Sequence, residues 1–416
     1  MDGLDELRHL IRTHPIVDHH AGHLLTRKAA LDSECEPLEV IVAADSHRGR
    51  LYTVDIEDRL SLRRAMRQLG ELYGTSFGTK WYEVQETHDQ CVRECYRGLI
   101  KKSLEGTHVL FLTDPRQLDQ DSLLSSRAHD RFTVLPTKRI AHIEQIAEAQ
   151  ILEIASSERR PDETILNNFR QRFQTALVEA MDDPNIIAFM TDVCHRTGLD
   201  VEPHTSDDIT LGGSLLRILD SGTVRSGFIV NDKPLCDWLV QQTLKSSYKK
   251  SKPLHFETGW GPVIFGDTRT NLAVVNPALL QPLIAQYQGS DIVLLHAAYP
   301  YTREAAYLAS KFPNLYLGLG LVSPTMSRDG QENVLRQCLE VAPATHLLWG
   351  TGGRAHPESF WLATYQFRQV LVDYVQQGDL TVQDAKWDAQ RVLFLNSQNL
   401  YNMPALRFDH SVSRIF

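Results

Sequence analysis

The sequence predicts a single (β/α)8 barrel that carries a helical insertion. Eight short apolar runs are spread over the 416 residues, and longer segments with a helical pattern separate them. Strands that alternate with helices form a parallel sheet, and eight such units favour a closed barrel over an open sheet. We therefore assign residues 1–416 to one barrel domain.

The eight predicted strands follow one another at intervals that leave room for crossover helices. In chain order they are PIVDHH from Pro15, HVLFLT from His108, FTVLPT from Phe132, NIIAFM from Asn185, PLHFET from Pro253, DIVLLH from Asp291, NLYLGLG from Asn314 and THLLWG from Thr345. Well-patterned helices lie between or after them, for example DETILNNFRQRFQTALVEAMDD and PESFWLATYQFRQVLVDYVQQG.

Two long stretches interrupt this regular repeat. Residues 27–105, between the first and second predicted strands, are charged and helical in pattern, and we expect them to form an insertion that covers one end of the barrel. Residues 200–250 are also helical in pattern. There, ordinary crossover helices and an added cap or oligomer surface remain equal alternatives, so a homo-oligomer is left open.

Composition excludes several classes of protein. The 43 Lys and Arg against 52 Asp and Glu leave a net charge of −9 without a basic cluster, which argues against a nucleic-acid-binding protein. No run reaches the roughly 18–20 apolar residues of a membrane helix, and the acidic start MDGLDELRHLIRTHP lacks the features of a signal peptide. The six cysteines show no CxxC pair. We expect a cytoplasmic protein with reduced thiols and no membrane partner.

Polar residues that close the predicted strands are the candidates for chemistry, because the active site of a barrel lies at the C-terminal ends of its strands. At these ends lie Asp18, His19 and His20 on the first run, Met190, Thr191 and Asp192 on the fourth, His255 and Glu257 on the fifth, His296 on the sixth, and Thr351 with Gly352 on the eighth. Histidines and a carboxylate at neighbouring strand ends are typical of a metal site or of acid–base catalysis. His19 is expected to point away from this site because side chains alternate along a strand.

Five motifs then identify a family. HPIVDHHAGHLL, FMTDVCHRTGLDV, PLHFETGWG, NPALLQPLIAQYQGSDIVLLHAAYPYTREAAYLAS and LLWGTGGRAHPESFWLA resemble, in order and spacing, the amidohydrolase domain of nodulin-type proteins. Fungal proteins that fuse this domain to a glutamine-synthetase-like domain carry it too. The resemblance implies a barrel of the metal-dependent hydrolase type and a setting in fungal natural-product metabolism, and we expect the glutamine-synthetase-like part to be absent here.

The resemblance also implies a degenerate metal site. The superfamily holds one or two divalent metals with a His-x-His pair on the first strand, a lysine or glutamate on the fourth, histidines on the fifth and sixth, and an aspartate on the eighth. His20 and His296 match two of these positions, whereas the others fall on Gly22, Met190, Glu257 and Gly352. We expect no metal and no cofactor, and a pocket made larger and more apolar by the two glycines and the methionine.

These observations predict a repurposed, metal-independent enzyme that acts on a bulky apolar small molecule. The expected reaction is non-hydrolytic (cyclisation, including pericyclic cyclisation, isomerisation or elimination), and positioning with acid–base catalysis by His20, Glu257 and His296 would drive it. A metal hydrolase with a His2Glu site and a non-catalytic regulatory protein are the alternatives. The residues expected to bind substrate are Gly22, His23, Met190, Asp192, His195, Arg196, His255, Trp260, Tyr299, Trp349, Thr351, Gly352 and Arg354, with core packing an equal alternative for the two tryptophans.

Overall fold

Eight parallel strands form one sheet whose order follows the chain, β1 to β8. The computed structural model describes residues 3–32, 35, 37–43, 57–78, 80–115, 121–157, 164–221, 224, 228–259, 271–375 and 380–404. The strands are β1 Ile16–Ala21, β2 Thr107–Thr113, β3 Lys138–His142, β4 Ile186–Thr191, β5 Leu254–Phe256, β6 Ile292–Leu294, β7 Leu315–Gly318 and β8 Leu347–Leu348. This architecture confirms the predicted barrel.

The barrel closes where β1 meets the segment that follows β8. The amide of His19 donates to the carbonyl of Trp349 (3.2 Å), and the amide of Gly22 donates to that of Gly353 (2.7 Å). The amide of Gly352 donates in return to the carbonyl of His20 (3.0 Å). These bonds satisfy the backbone groups that an open edge of β1 would leave exposed.

The helices surround the barrel and cover its ends. They are α1 Gly3–Thr13, α2 Leu38–Val42, α3 Leu60–Tyr73, α4 Trp81–Ser103, α5 Ser126–His129, α6 Ile143–Ser156, α7 Ile165–Asp182, α8 Val193–Arg196, α9 Asp208–Asp220, α10 Lys233–Lys250, α11 Gln281–Gln286, α12 Thr302–Lys311, α13 Val322–Thr325, α14 Arg328–Leu339, α15 Pro357–Val375, α16 Val382–Gln390 and α17 Asn396–Leu400. Among the described residues, none of these helices has the length and apolarity needed to cross a membrane.

The third strand lies one segment later than predicted. Residues 132–137 form turns and bends, and the side chain of Val134 is 72% exposed. β3 instead occupies Lys138–His142 and pairs with both β2 and β4. Its charged start, where Arg139 pairs with the carboxylate of Asp114 (2.7 Å), makes it hard to recognise as a strand in the sequence. The correction brings His142 to the C-terminal end of a strand.

The segment between β1 and β2 contains α2, α3 and α4. Most of their apolar side chains, including Leu62, Leu69 and Val84, are almost fully buried, whereas Leu60 and Tyr82 are exposed. They pack as one hydrophobic cluster with residues of β1, β2 and α15, so the segment rests on the barrel rather than forming a separate body. Part of the predicted 27–105 insertion, residues 44–56, lies outside the described residues.

The barrel interior is itself packed with side chains. Val17, Phe111, Met190 and Val293 contribute to this core and are at most 2% exposed. A larger cluster fills the space between the outside of the barrel and the surrounding helices. The interior is therefore a filled core, as in other eight-stranded barrels, and any ligand must bind at its mouth.

Asp18 links β1 to the segment that follows β8. Its burial predicts that the free energy of unfolding depends on pH. Its carboxylate accepts from the amide (2.8 Å) and the hydroxyl (2.6 Å) of Thr351, and it is 1% exposed. Burial raises the pKa of Asp18 to about 7, above the value of about 3.9 in an unfolded chain. Folding thus favours the neutral carboxyl. The stabilisation of the fold by this carboxyl is complete below about pH 4 and is lost as the pH rises through 7.

We expect Asp18→Asn to reduce this loss by up to about 2.7 kcal/mol in the free energy of unfolding between pH 5 and pH 8.5. Urea unfolding of both proteins at the two pH values measures it. Asp5→Asn, at an exposed position of α1, is the matched control for the loss of one carboxyl. An equal pH dependence in wild type and Asp18→Asn would show that Asp18 stays ionised in the fold.

Candidate functional site

A buried cluster of two histidines and one glutamate lies at the C-terminal mouth of the barrel. His20 stands near the end of β1, Glu257 directly follows β5, and His296 follows β6. Their exposed fractions are 7%, 3% and 3%. One ligand atom from each residue lies within 4.8 Å of the other two. The structure thus brings together the three residues that the sequence selected as catalytic.

Glu257 and His296 form a direct pair. The Nε2 atom of His296 is 2.5 Å from Oε2 of Glu257, a hydrogen bond shorter than the roughly 2.7–2.9 Å usual between a nitrogen donor and a carboxylate. Burial alone would raise the pKa of Glu257, but the positive potential of His296, its hydrogen bond and the nearby His20 and His195 hold the pKa at about 2. Glu257 is therefore ionised at neutral pH.

His20 faces this pair as a neutral imidazole. Its ring centroid lies 5.7 Å from that of His296, with the two planes at 71°. Burial lowers the pKa of His20 to about 3, against the opposing effect of Glu257. Its Nδ1 atom is buried and has no hydrogen-bond partner among the described residues. The mouth thus combines a fixed negative charge with a neutral imidazole able to donate or accept.

An unusual backbone conformation places His296. His296, Ala297 and Ala298 all have left-handed φ values (61°, 48° and 49°), which L residues rarely adopt. Gly259 packs against this turn with φ 56°, and a Cβ atom there would lie 2.2 Å from the carbonyl oxygen of Tyr299. Such conformations persist only where the surrounding structure imposes them, and they concentrate at functional sites.

Two further histidines surround the cluster. His195, which the sequence analysis selected, lies close enough to Glu257 and His296 for their charges to act on its pKa, and burial lowers that pKa. His142 was missed because the third strand was assigned to the wrong segment. It closes β3, pairs in register with Met190 and influences the pKa of His20. The apolar alternation in KRIAHI is the signal that could have located it.

Asp192 and Arg196 bind each other rather than the mouth. The guanidinium of Arg196 hydrogen-bonds to the Asp192 carboxylate, to Glu148 (2.6 Å) and to the carbonyl of Val230 (2.5 Å), and its side chain is 1% exposed. Burial alone would lower the pKa of Arg196, but the carboxylates of Asp192, Glu144 and Glu148 raise it. The two residues form a buried network at the end of β4, and a carboxylate oxygen of Asp192 also lies within 4.8 Å of ligand atoms of His142 and Glu144.

A second layer of polar rings lies beneath the mouth. His255 has no exposed surface, and its Nε2 atom is 2.8 Å from the hydroxyl of Tyr401. The same hydroxyl is 3.3 Å from Nδ1 of His19. The structure therefore places His255, a predicted substrate contact, in the barrel interior, where Tyr401 holds it.

The expectation that His19 points away from the site is wrong. The ring centroids of His19 and His20 are 6.3 Å apart, and His19 lies 5.6 Å from His255. The pairing of β1 with β2 shifts register between Asp18 and Ala21, which breaks the simple alternation of side chains. Both histidines are therefore buried close to His255.

The two glycines at former ligand positions do not open the pocket as predicted. A Cβ atom on Gly22 would lie 2.7 Å from Cβ of Arg354. Gly352 has φ 60°, and a Cβ atom there would lie 2.7 Å from the amide nitrogen of Leu321. Neighbouring chain already occupies the space that larger side chains would need. Restoring metal ligands at these positions, or filling them with leucine, would disturb the fold.

The remaining predicted substrate contacts that the structure describes are buried or packed against hydrophobic side chains. Met190 is 2% exposed and lies in the interior core. Trp349 stacks on Phe367 at 3.9 Å between the barrel and α15, so core packing is the correct alternative for it. His23 is buried, with Nδ1 2.8 Å from the carbonyl of Leu124. Tyr299 packs against the outer hydrophobic cluster, and Trp260 lies outside the described residues.

A small cleft opens at the ends of β7 and β8, beneath α2. Its cavity volume is about 10 Å³, room for about one water molecule. Three predicted substrate contacts, Thr351, Gly352 and Arg354, line it together with Ile41, Leu321, Pro324, Gly353 and Ser359. The cleft surface is mainly apolar.

The donor set at the mouth also fits one divalent metal ion. Two imidazoles and one carboxylate within 4.8 Å of one another match the His2Glu set of a catalytic zinc with an open fourth position. Gly22, Met190 and Gly352 supply no donor for a second ion. A bound ion would act as a Lewis acid and lower the pKa of a coordinated water.

Comparison with known proteins identifies a family model and a sequence relative that match the chain. The model of the amidohydrolase family matches residues 179–386, half of the chain. Protein fluG of Emericella nidulans is 43% identical over 440 aligned positions that cover all of this chain and 50% of the relative. The chain thus spans about half the length of the curated relative it matches.

Solved structures show the same fold. A candidate metal-dependent hydrolase from Lactobacillus casei superimposes with a TM-score of 0.76 at 23% identity, covering 95% of this chain and 97% of the other. Uronate isomerase from Thermotoga maritima superimposes with a TM-score of 0.59 at 14% identity, covering 96% and 97%. At these identities, the similarity establishes the barrel and its extent only.

Proposed function

Because the chain belongs to the amidohydrolase family, we propose that it is an enzyme that performs a non-hydrolytic acid–base step on an apolar small molecule at the barrel mouth. Isomerisation, elimination and cyclisation are the reactions within reach of such a site. One observation carries the proposal, the buried pair of Glu257 and His296, in which the carboxylate and the imidazole are 2.5 Å apart.

The pair defines the role of each partner. The ionised Glu257 accepts a hydrogen bond from Nε2 of His296. In the neutral form of His296 this tautomer leaves a lone pair on Nδ1, which has no hydrogen-bond partner among the described residues. His296 is thus prepared as a general base, and Glu257 orients the ring and stabilises the imidazolium that forms when a proton arrives.

Other groups at the mouth complete an acid–base cycle. His20 is neutral and lies beside His296, so its N–H can donate a hydrogen bond to a substrate carbonyl as charge develops there. His195 lies near the same pair and supplies a second imidazole for returning the proton. The eighth-strand aspartate that would activate water in a hydrolase is replaced by Gly352, and this favours a reaction without water as nucleophile.

The cleft beneath α2 offers an apolar surface, although its cavity of about 10 Å³ must widen before a substrate can enter. Ile41, Leu321 and Pro324 provide this surface, and Thr351 and Arg354 also line the cleft. Positioning of a flexible molecule in such a cleft contributes up to about 7–11 kcal/mol to lowering a barrier in favourable cases. That range suits cyclisation and isomerisation. A role in natural-product metabolism follows from the resemblance to fungal proteins and is part of this proposal.

A hydrolase with a single metal is the second candidate, because the three donor atoms fit one ion. In that case His20, Glu257 and His296 would hold the metal, and Glu257 would act as a ligand and not as the partner of a general base. The two candidate functions can be distinguished by the mass of the product and by whether turnover requires a metal.

The test of the proposed function uses the mass of the product. A metabolite extract of the source organism is incubated with wild-type protein and, in parallel, with Glu257→Gln, and both are compared by untargeted mass spectrometry. We expect a compound that is consumed only by the wild type and that yields an isomer of equal mass, or two products whose masses sum to that of the compound. Products whose masses sum to that of the compound plus one water, or a single ring-opened product heavier by one water, would establish hydrolysis and overturn the proposal.

We further expect turnover of that compound to be independent of metal at the mouth. Dialysis against a chelator, followed by elemental analysis, is expected to leave turnover within about twofold of the starting value, since general acid–base catalysis by the pair uses no metal. A metal that is lost in His20→Asn and His296→Asn, and whose removal abolishes turnover, would instead establish the hydrolase.

A further inference from the structure

A second buried cluster of two histidines and a glutamate lies away from the barrel mouth. His88 belongs to α4, His356 immediately precedes α15, and Glu358 lies in the first turn of α15. Their exposed fractions are 0%, 2% and 0%. The cluster is therefore placed where the helices between β1 and β2 rest on the barrel, and the acid–base chemistry described above does not use it.

The donor atoms of this cluster converge as closely as those at the mouth. One ligand atom from each of the three residues lies within 4.8 Å of the others. Nδ1 of His88 is 2.6 Å from Oε1 of Glu358, and the rings of His88 and His356 meet edge to face with centroids 4.9 Å apart. Side chains from two separate parts of the chain thus meet at one point.

One carboxylate oxygen remains unsatisfied within the cluster. Oε1 of Glu358 accepts hydrogen bonds from His88 and from the hydroxyl of Tyr73, whereas Oε2 is buried and has no partner among the described residues. A buried acceptor left without a partner costs about 1–3 kcal/mol, and more when it is charged. A cation bound beside Oε2 would remove this cost.

A candidate fourth donor lies on the same face of α4. Cys91 follows His88 by three residues, a spacing that places both side chains on one side of a helix. Its Sγ atom is not among the converging ligand atoms, so the side chain must turn towards a bound ion. Burial together with the charge of Glu358 raises the pKa of this free thiol, which is therefore neutral until an ion binds. Imidazole, carboxylate and thiolate together form a donor set that zinc and similar ions prefer.

We propose that His88, His356, Glu358 and Cys91 form a structural site for one divalent transition metal of the zinc type. The ion binds where His88 and Glu358 now share a proton, and it releases that proton and the thiol proton of Cys91 to solvent. Tetrahedral ligands at zinc bond lengths of about 2.0–2.1 Å are about 3.3 Å apart, so the contact between His88 and Glu358 opens by about 0.7 Å. The bound metal ties α4 to the start of α15.

The experiment uses Co²⁺ as a spectroscopic probe of the full-length protein after metal removal. The triple variant His20→Asn, Glu257→Gln, His296→Asn removes the donors at the barrel mouth and serves as the background. We expect this background to bind one equivalent of Co²⁺ with the intense visible bands of a tetrahedral site and a thiolate charge-transfer band. Cys91→Ser in the same background is expected to lose the charge-transfer band, and His88→Gln to weaken binding at least tenfold.

Several results would overturn the site. These are a background variant that binds no Co²⁺, an octahedral spectrum, or equal affinity and an unchanged charge-transfer band after the substitutions at His88 and Cys91. Should His88→Gln fail to fold, His356→Gln replaces it with the same expected loss. Zn²⁺ is expected to raise the melting temperature of the background variant in a concentration-dependent way and to leave the melting temperature of Cys91→Ser nearly unchanged.

Discussion

Glu257→Gln is expected to lower kcat by about 10²- to 10⁴-fold on the compound identified by mass comparison, with a much smaller change in KM. Glutamine retains the shape of the side chain and an oxygen that accepts from Nε2 of His296. It lacks the negative charge that fixes the tautomer of His296 and stabilises the imidazolium. His296→Asn should reduce kcat to a similar extent, and the double variant little further, because the two residues act as one unit.

The control for the loss of one carboxylate is Glu340→Gln. Glu340 pairs with Arg303 on the outer surface, with a contact of 3.0 Å and both side chains exposed. It is expected to leave kcat unchanged. Thermal melts within a few degrees of the wild type confirm folding of all variants. Full activity in Glu257→Gln would eliminate the pair as the catalytic unit and leave positioning in the cleft as the only source of rate enhancement.

The fold was predictable from the sequence because strands and helices alternate with clear hydrophobic patterns. Seven of the eight apolar runs contain or overlap observed strands. The third failed because a solvent-exposed run with Val134 and Pro136 resembles a strand more closely than KRIAH, whose charged residues pair with neighbouring segments. Local pattern was overridden there by tertiary pairing with β2 and β4.

The candidate site was predictable in composition but not in detail. The resemblance led to His20, Glu257 and His296, and the structure places their donor atoms together. The sequence could not show that Arg354 and Leu321 occupy the space beside Gly22 and Gly352, because this depends on where distant backbone segments pass. It also gave no reason to associate His88 with Glu358, which are 270 positions apart in the chain.

Gly259→Ala is expected to be the most damaging single substitution at the mouth. The added methyl group would lie 2.2 Å from the carbonyl oxygen of Tyr299 and 2.6 Å from that of Ala298. Both are backbone atoms, so relief requires movement of the left-handed turn that places His296. We expect a loss of about 4 kcal/mol or more in the free energy of unfolding, together with loss of turnover.

Gly74→Ala separates this clash from the cost of the backbone conformation alone. Gly74 has a similar left-handed φ of 73° at the end of α3, and a Cβ atom there would meet nothing within 4 Å. It is expected to cost only about 1 kcal/mol and to leave turnover intact. Urea unfolding of both variants measures the difference. If Gly259→Ala unfolds at the same urea concentration as Gly74→Ala, the turn at His296 yields freely, and the pairing of His296 with Glu257 does not depend on a rigid backbone.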